Sequence, residues 1–197
     1  MSVEPNYRRV HDVESITSVA IEEFHEHGYE RTTMAQIAER AGVTKAALYY
    51  HAAGGKEELL DRAISRGLGP LWHALQEARS RGGTPVEQLR DIVERQVEVL
   101  IEHLPEVSLF LRARGASQPE RRAVERRRLF DEQVSEIVRR AMEAGEIRDD
   151  LDPSVVTRLI LGAVNSMAEW YRPDGRLGAA ALRDTVVTMV FDGLLVR

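Results

Sequence analysis

The sequence predicts an all-α protein, three short helices followed by a larger helical bundle. Strand signals are almost missing, apolar residues recur at steps of three and four, and Gly and Pro punctuate long helical segments. The first helix is predicted over Tyr7–His27, with Val13, Ile16, Ala20 and Phe24 on one face, and Gly28 ends it. Thr33 and Gln36 have the spacing of a capping box and open a short helix, Met34–Ala41. Gly42 supplies a tight turn, after which Thr44 caps a third helix over Lys45–His51. Lys56–Arg81 reads as one helix interrupted at Gly67, Gly69 and Pro70, where proline lacks the N–H that the helix needs. Thr84-Pro85-Val86-Glu87 starts the next helix strongly, and it runs to His103. Pro105–Arg114, Pro119–Ala144 and Asp152–Tyr171 follow; Arg172-Pro173-Asp174-Gly175 forms a turn, and Leu177–Leu195 is the last helix.

Composition narrows the function classes. At 43% hydrophobic and 30% charged, the 197 residues can bury a core, so a disordered chain is excluded. Cysteine is absent, which rules out disulfides, thiolate metal sites and a cysteine nucleophile, and fits a reducing cytoplasm. With no apolar leader or spanning run in the sequence, a cytoplasmic chain with no membrane partner is expected. The net charge of −5 is not that of a global nucleic-acid binder. Charge is nevertheless segregated. Residues 1–30 carry two bases against seven acids, whereas residues 31–56 carry Arg31, Arg40, Lys45 and Lys56 against Glu39 alone.

That basic stretch holds two short helices joined by a glycine turn, the second carrying Thr44, Lys45, Tyr49, Tyr50 and His51. The residue types suit a helix-turn-helix that reads DNA. A helix N-terminus with a threonine can hold a phosphate, lysine adds a mobile cation, and Ala46 and Ala47 let the backbone approach a major groove. A plain helical hairpin with aromatics in its core has the same spacing. The six histidines suggest no metal site, since His25 and His27 point to different faces of one helix. Gly54-Gly55-Lys56-Glu57 fails as a phosphate loop, because Tyr50 stands where the first glycine is needed and Glu57 where Ser or Thr is. No nucleophile elbow occurs, so neither an enzyme nor a resident cofactor is expected.

The run Ala20–Leu60, AIEEFHEHGYERTTMAQIAERAGVTKAALYYHAAGGKEELL, resembles the N-terminal domain of TetR-family transcriptional regulators. The resemblance implies a homodimeric repressor that binds a palindromic double-stranded operator through residues 1–57. Residues 58–197 would bind a small-molecule effector and dimerise through the last two helices. It also implies DNA contacts from Thr33, Thr44, Lys45, Ala46, Ala47, Tyr49, Tyr50, His51 and Lys56. One departure stands out: where the family usually has H-F-x-S-K, this chain has His51-Ala52-Ala53-Gly54-Gly55-Lys56. Loss of the phenylalanine is expected to loosen the junction of the third and fourth helices, and the extra residue puts the placement of Lys56 on phosphate in question.

For the C-terminal domain, pattern is the guide. Val155, Leu159, Val164 and Met167, with Val186, Met189, Val190 and Leu194, form apolar faces suited to a dimer interface or to intrachain core. Candidate effector-lining residues are Leu71, Trp72, Leu75, Val93, Val97, Leu100, Phe110, Leu111 and Phe130, with Gln96 and Asn165 as polar groups on apolar faces. The segment NSMAEWYRPDGRL from Asn165 to Leu177 resembles a subset of the family that responds to acyl-coenzyme A thioesters. Its residue types suit that ligand: Trp170 and Tyr171 to flank an acyl or adenine group, and Arg172 and Arg176, with arginines such as Arg112, Arg114, Arg121 or Arg122, to meet phosphates. The alternative is that the segment only closes the turn between the two dimer helices, with Trp170 packing it. An effector-independent DNA binder, or a bundle that contacts another protein, is the alternative.

Overall fold

The computed structural model of the chain describes residues 12–175 and 177–194, and at 193 and 194 the backbone alone. Tyr7–His11, Arg176, Leu195 and the side chain of Leu194 therefore lie outside the described residues. Among the described residues there are nine helices and no strand. They are α1 (Val13–His27), α2 (Met34–Ala41), α3 (Lys45–His51), α4 (Gly55–Ser80), α5 (Pro85–Glu102), α6 (Leu104–Arg112), α7 (Gln118–Glu143), α8 (Pro153–Trp170) and α9 (Ala179–Leu194). The all-α prediction holds. The chain forms two compact units that divide after Ala63, inside α4. Of the kink or break expected at Pro70, the break does not occur: α4 runs for 26 residues with the proline inside it. Gly67 serves packing instead, since a Cβ there would stand 3.0 Å from the Glu106 carbonyl carbon.

In the N-terminal unit, Asp12 caps α1 by accepting the Ser15 N–H at 2.7 Å. Ile16, Ala20, Ile21 and Phe24 from α1 are buried, as are Ile37, Ala38 and Leu48 from α2 and α3. Polar groups then fix the turn between α1 and α2. The buried Thr32 hydroxyl reaches the Glu23 and Gly28 carbonyls at 3.2 and 3.0 Å. Arg40, at the end of α2, donates to the Glu23 carboxylate at 3.0 Å and to both oxygens of Glu26 at 2.7 and 2.8 Å, and it pairs with Glu22 at 3.0 Å. Part of the positive charge counted at residues 31–56 is thus neutralised by α1.

In the C-terminal unit α5 runs through the middle, packing on α7, α8 and α9. Its capping box works in both directions: Thr84 accepts the Glu87 N–H, and the Glu87 carboxylate accepts the Thr84 N–H. Leu89, Ile92, Val93, Val97 and Leu100 are essentially inaccessible and pack with Val134, Ile137 and Val138 of α7 and Val164 of α8. The expected apolar faces of α8 and α9 are therefore split. Val164, Met167 and Val186 belong to this core, while Val155, Leu159 and Met189 stay exposed at 49%, 69% and 61%.

Glu23 is 5% exposed and depends on Arg40 for its strongest partner. Replacing Arg40 with Met should lower the stability of the N-terminal unit by roughly 1–3 kcal/mol, because a buried acceptor loses its donor. The Arg40 guanidinium also holds the Glu26 carboxyl below its ordinary range. A lowered folded-state value gives stability that is complete above the usual carboxylate range and is lost as pH falls through the folded value. Acid unfolding of the wild type followed by circular dichroism should show that loss, and R40M should lack it.

Candidate nucleic-acid interface and core slot

The turn between α2 and α3 depends on Gly42, which sits in the left-handed region at φ 68° and donates its N–H to the Glu39 carbonyl at 3.0 Å. Val43 N–H closes the motif on the Ala38 carbonyl at 3.0 Å. Both flanking helices are capped by threonine. Thr33 accepts the Gln36 N–H at 3.3 Å while the Gln36 side chain accepts the Thr33 N–H at 2.8 Å, and Thr44 accepts the Ala47 N–H at 3.1 Å. Leu48 alone anchors α3 in the core. Its other face is open: Thr44, Lys45 and Ala46 are exposed, Tyr49 is 43% and Tyr50 86% exposed, and Ala47 and His51 are half-buried. The hairpin reading with both tyrosines in a core therefore does not apply. Tyr50 and His51 meet edge-on at 5.3 Å between ring centroids.

Lys56 lies elsewhere. Its ammonium donates to the backbone carbonyls of Tyr29 at 2.8 Å and Glu30 at 3.3 Å, and it stands 4.3 Å above the centre of the Tyr29 ring. It thus clasps the start of α4 to the α1–α2 turn. The junction between α3 and α4 is also tight, contrary to the looseness expected from its alanines and glycines. Ala52 is fully buried, and Gly55 N–H reaches the Ala52 carbonyl at 2.9 Å. Glu58 accepts the Gly54 N–H at 2.7 Å and the Arg62 guanidinium at 2.7 Å, and these bonds hold its carboxyl below the ordinary range. A side chain at Gly54 would meet Glu58 at 3.1 Å, and Gly55 has φ 65°, so glycine at both positions permits the compact turn that replaces the phenylalanine.

In the C-terminal unit, five of the candidate effector residues surround one slot: Leu71, Gln96, Phe110, Phe130 and Asn165. Leu68, Arg127, Asp131 and Leu161 complete its lining. Trp72 stacks edge-on against Phe130 at 5.8 Å, while Leu75, Val93, Val97 and Leu100 form the packed core beyond. Only about 10 Å³ of the slot is open. That is about one water's worth. Gln96 donates to the Asn165 side-chain oxygen at 3.3 Å, and its own oxygen is buried without a partner, as are Trp72 Nε1 and Ser108 Oγ. Leu111 and Asn165 face a second, outer cleft of about 340 Å³ between α6 and α8, together with Ser108, Arg112 and Arg114. Trp170 lines neither space; it is half-exposed at the end of α8, and the predicted turn follows it, with Gly175 N–H on the Arg172 carbonyl at 2.9 Å.

Ser108, Arg127, Asp131 and Leu161 were not picked out by pattern. Arg127 and Asp131 sit in a helix crowded with solvated charge, and spacing does not separate them from it. In the fold, Arg127 lies 5.5 Å from the Phe110 ring centre and reaches the Leu111 carbonyl at 3.3 Å. Burial pushes the Asp131 carboxyl above its ordinary value. No group of three or more metal-ligating side chains is found among the described residues.

A capped helix-turn-helix with an exposed second helix, followed by a separate helical unit, defines a DNA-binding transcription regulator. Known proteins make the class specific. Residues 16–63 match the family model for bacterial regulatory proteins of the tetR family, and residues 82–194 match the tetracyclin repressor-like C-terminal domain. The chain belongs to the TetR family. It is 29% identical over 174 residues to the HTH-type transcriptional repressor KstR2 of Mycobacterium tuberculosis, covering 87% of this chain and 86% of that one. The crystal structure of a TetR regulator family member from Streptomyces coelicolor A3 superposes with a TM-score of 0.84 at 40% identity, over 98% of this chain and 94% of that one. AibR, solved with isovaleryl coenzyme A and operator DNA, superposes at 0.79 with 27% identity, over 91% and 97%.

Ala52 has no exposed surface to give to a larger side chain. Ala52→Phe, which restores the residue common in the family, should destabilise the N-terminal unit by about 1–3 kcal/mol through overpacking. A gain in thermal midpoint would show that the junction has slack.

Proposed function

We propose that this regulator is a ligand-responsive repressor that binds a palindromic operator as a homodimer and leaves it when a small hydrophobic or acyl-coenzyme A effector binds. The observation that carries the DNA half is the open face of α3, where a lysine, a threonine cap and two tyrosine hydroxyls are presented beside small alanines. Residues 1–57 are assigned to DNA binding, with contacts from Thr33, Thr44, Lys45, Ala46, Ala47, Tyr49, Tyr50 and His51. Lys56 acts one step back, positioning the α1–α2 turn. The exposed apolar stripe of α8 (Val155, Leu159 and Trp170), with Met189 of α9, supports dimerisation through the last two helices. Two half-sites about one helical turn apart require two copies of α3.

The effector half rests on the slot in residues 58–197 with the unpartnered Gln96 oxygen, on the adjoining cleft with the unpartnered Ser108 hydroxyl, and on the likeness to AibR, solved with isovaleryl coenzyme A. A coupling of about 1–3 kcal/mol changes operator affinity by roughly 5- to 150-fold. The nearly closed slot favours a second reading, an effector-independent DNA binder. Fluorescence anisotropy on a duplex selected from a random pool, with and without acyl-coenzyme A, separates the two. A loss of affinity with the thioester supports the first reading, and an unchanged affinity across all chain lengths supports the second. Both readings need a soluble interface only; no helix among the described residues is long and apolar enough to cross a membrane.

The two lysines should behave differently in that assay. Lys45→Met should weaken binding about equally on all sequences and lower the salt slope by about one, as loss of a phosphate contact does. Lys56→Met should lower the thermal midpoint of the N-terminal unit and leave the slope unchanged. A slope reduced by one in K56M would put its ammonium on phosphate in the complex.

A further inference from the structure

Three side chains in the C-terminal unit connect the outer cleft to the core slot. Asn165 lines both. Gln96, 4% exposed, lines the inner slot, and Ser108, 3% exposed, lines the outer cleft. The Gln96 amide reaches across α5 and α8 to Asn165 at 3.3 Å, at the weak end of the hydrogen-bond range. The Gln96 oxygen and the Ser108 hydroxyl are buried without partners. Such groups are rare in native cores, and each costs free energy until something satisfies it.

We propose that the Gln96–Asn165 hydrogen bond is a latch between cleft and slot, and that Ser108 and Asn165 hold the carbonyl group of an acyl effector as its chain passes the latch. The proposal rests on the effector-responsive reading above and adds the route and the chemistry. The chain takes the place of the collapsed space among Leu71, Phe110, Phe130 and Leu161, whose side chains are apolar and close-packed around a void of about one water. The carbonyl oxygen stops at the cleft floor, where the Ser108 hydroxyl and the Asn165 amide can donate to it. An anionic head stays outside, on the side of the cleft lined by Arg112 and by Arg114, whose guanidinium also donates to the Leu111 and Ala113 carbonyls, and away from Glu169, which lines the same cleft. In a coenzyme A ester that head is the phosphates, which lie well beyond the thioester carbonyl. A free acid has no separate head: its charge is shared by the two oxygens of the carboxylate, and seating that group on a floor of two neutral donors strips an ion of its water; the thioester brings a neutral carbonyl and carries its charge further out. The latch adds one weak amide–amide bond to the apolar packing that closes the slot, and an entering chain breaks that bond as it displaces the side chains around it.

The test uses the full-length protein with octanoyl-coenzyme A, octanoate and coenzyme A, read by isothermal titration and by thermal shift. Octanoyl-coenzyme A should bind the wild type more tightly than either of the other two. Ser108→Ala should raise or at least preserve the ligand-free melting midpoint, since it removes a buried hydroxyl that has no partner, and should weaken octanoyl-coenzyme A by about 2- to 12-fold. Asn165→Ala should speed association in stopped-flow tryptophan fluorescence by a similar factor, because no latch has to break. Wild-type binding that neither variant alters overturns the latch while leaving the effector reading in place. No binding of any acyl probe to the wild type overturns both.

Discussion

The N-terminal unit is organised around one guanidinium. Arg40 draws together Glu22, Glu23 and Glu26 of α1, and through them it fixes the end of α2 on α1. A three-helix unit of this size has a small core, and α3 contributes only Leu48 to it. The angle of α3 is therefore set mostly by what holds α2 and by the tight glycine turn at Gly42. Exposed ion pairs are individually weak. This cluster differs because Glu23 is buried and the guanidinium is shared by three carboxylates. Lys56 and Thr32 complete the effect at the other side of the unit by occupying the carbonyls that the α1–α2 turn would otherwise leave open. Charge that composition credits to DNA binding is thus divided between holding the reader and reading.

The C-terminal unit follows a different economy. Its core is dense and apolar around α5, and of the buried polar atoms left without a partner, Gln96 Oε1 lies at the slot and Ser108 Oγ at the cleft, while Trp72 Nε1 and Gln88 Oε1 line neither. A purely structural bundle would gain by replacing Gln96 and Ser108 with apolar residues, since satisfied or absent polar groups are both better than unpaired ones. Their positions, one on each side of Asn165, are where an incoming polar group finds donors and acceptors already desolvated. In the ligand-responsive reading proposed above, this arrangement trades some stability of the ligand-free bundle for specificity in what it admits.

Much of the fold was legible because its signals are local. Thr33 with Gln36, Thr84 with Glu87, Asp152 before Pro153, and Gly42 after Ala41 each fix a helix end through hydrogen bonds within a few residues, and each appears where spacing put it. Pro70 fails to break α4 for a physical reason. A proline removes one helix hydrogen bond, but the bonds before and after it remain, and α4 continues through the gap. The site was less legible. Tyr49 and Tyr50 on an exposed face follow from the need of α3 to bury Leu48 alone, which pattern suggests but does not decide. The clasp of Lys56 joins residues 27 positions apart, and the meeting of Gln96 with Asn165 spans 69, so neither leaves a trace in any short window. Of the apolar stripe on α8, Val164 and Met167 proved to be core because α5 takes that face, and only the fold shows which side of an apolar helix is already covered.

These two kinds of interaction bear on how a ligand signal could act. In the N-terminal unit the anchors are charged, numerous and close to the helix that presents Lys45 and Tyr50; changing the angle of α3 within the unit would require breaking several of them at once. In the C-terminal unit the latch is a single long amide bond beside a void of about one water. The softer element is therefore the bundle. An effector that opens the slot displaces α5 or α8 side chains first, and α8 also carries the exposed stripe proposed for the dimer. The proposed effector would therefore act on how two readers are held in the proposed dimer rather than on the fold of either reader.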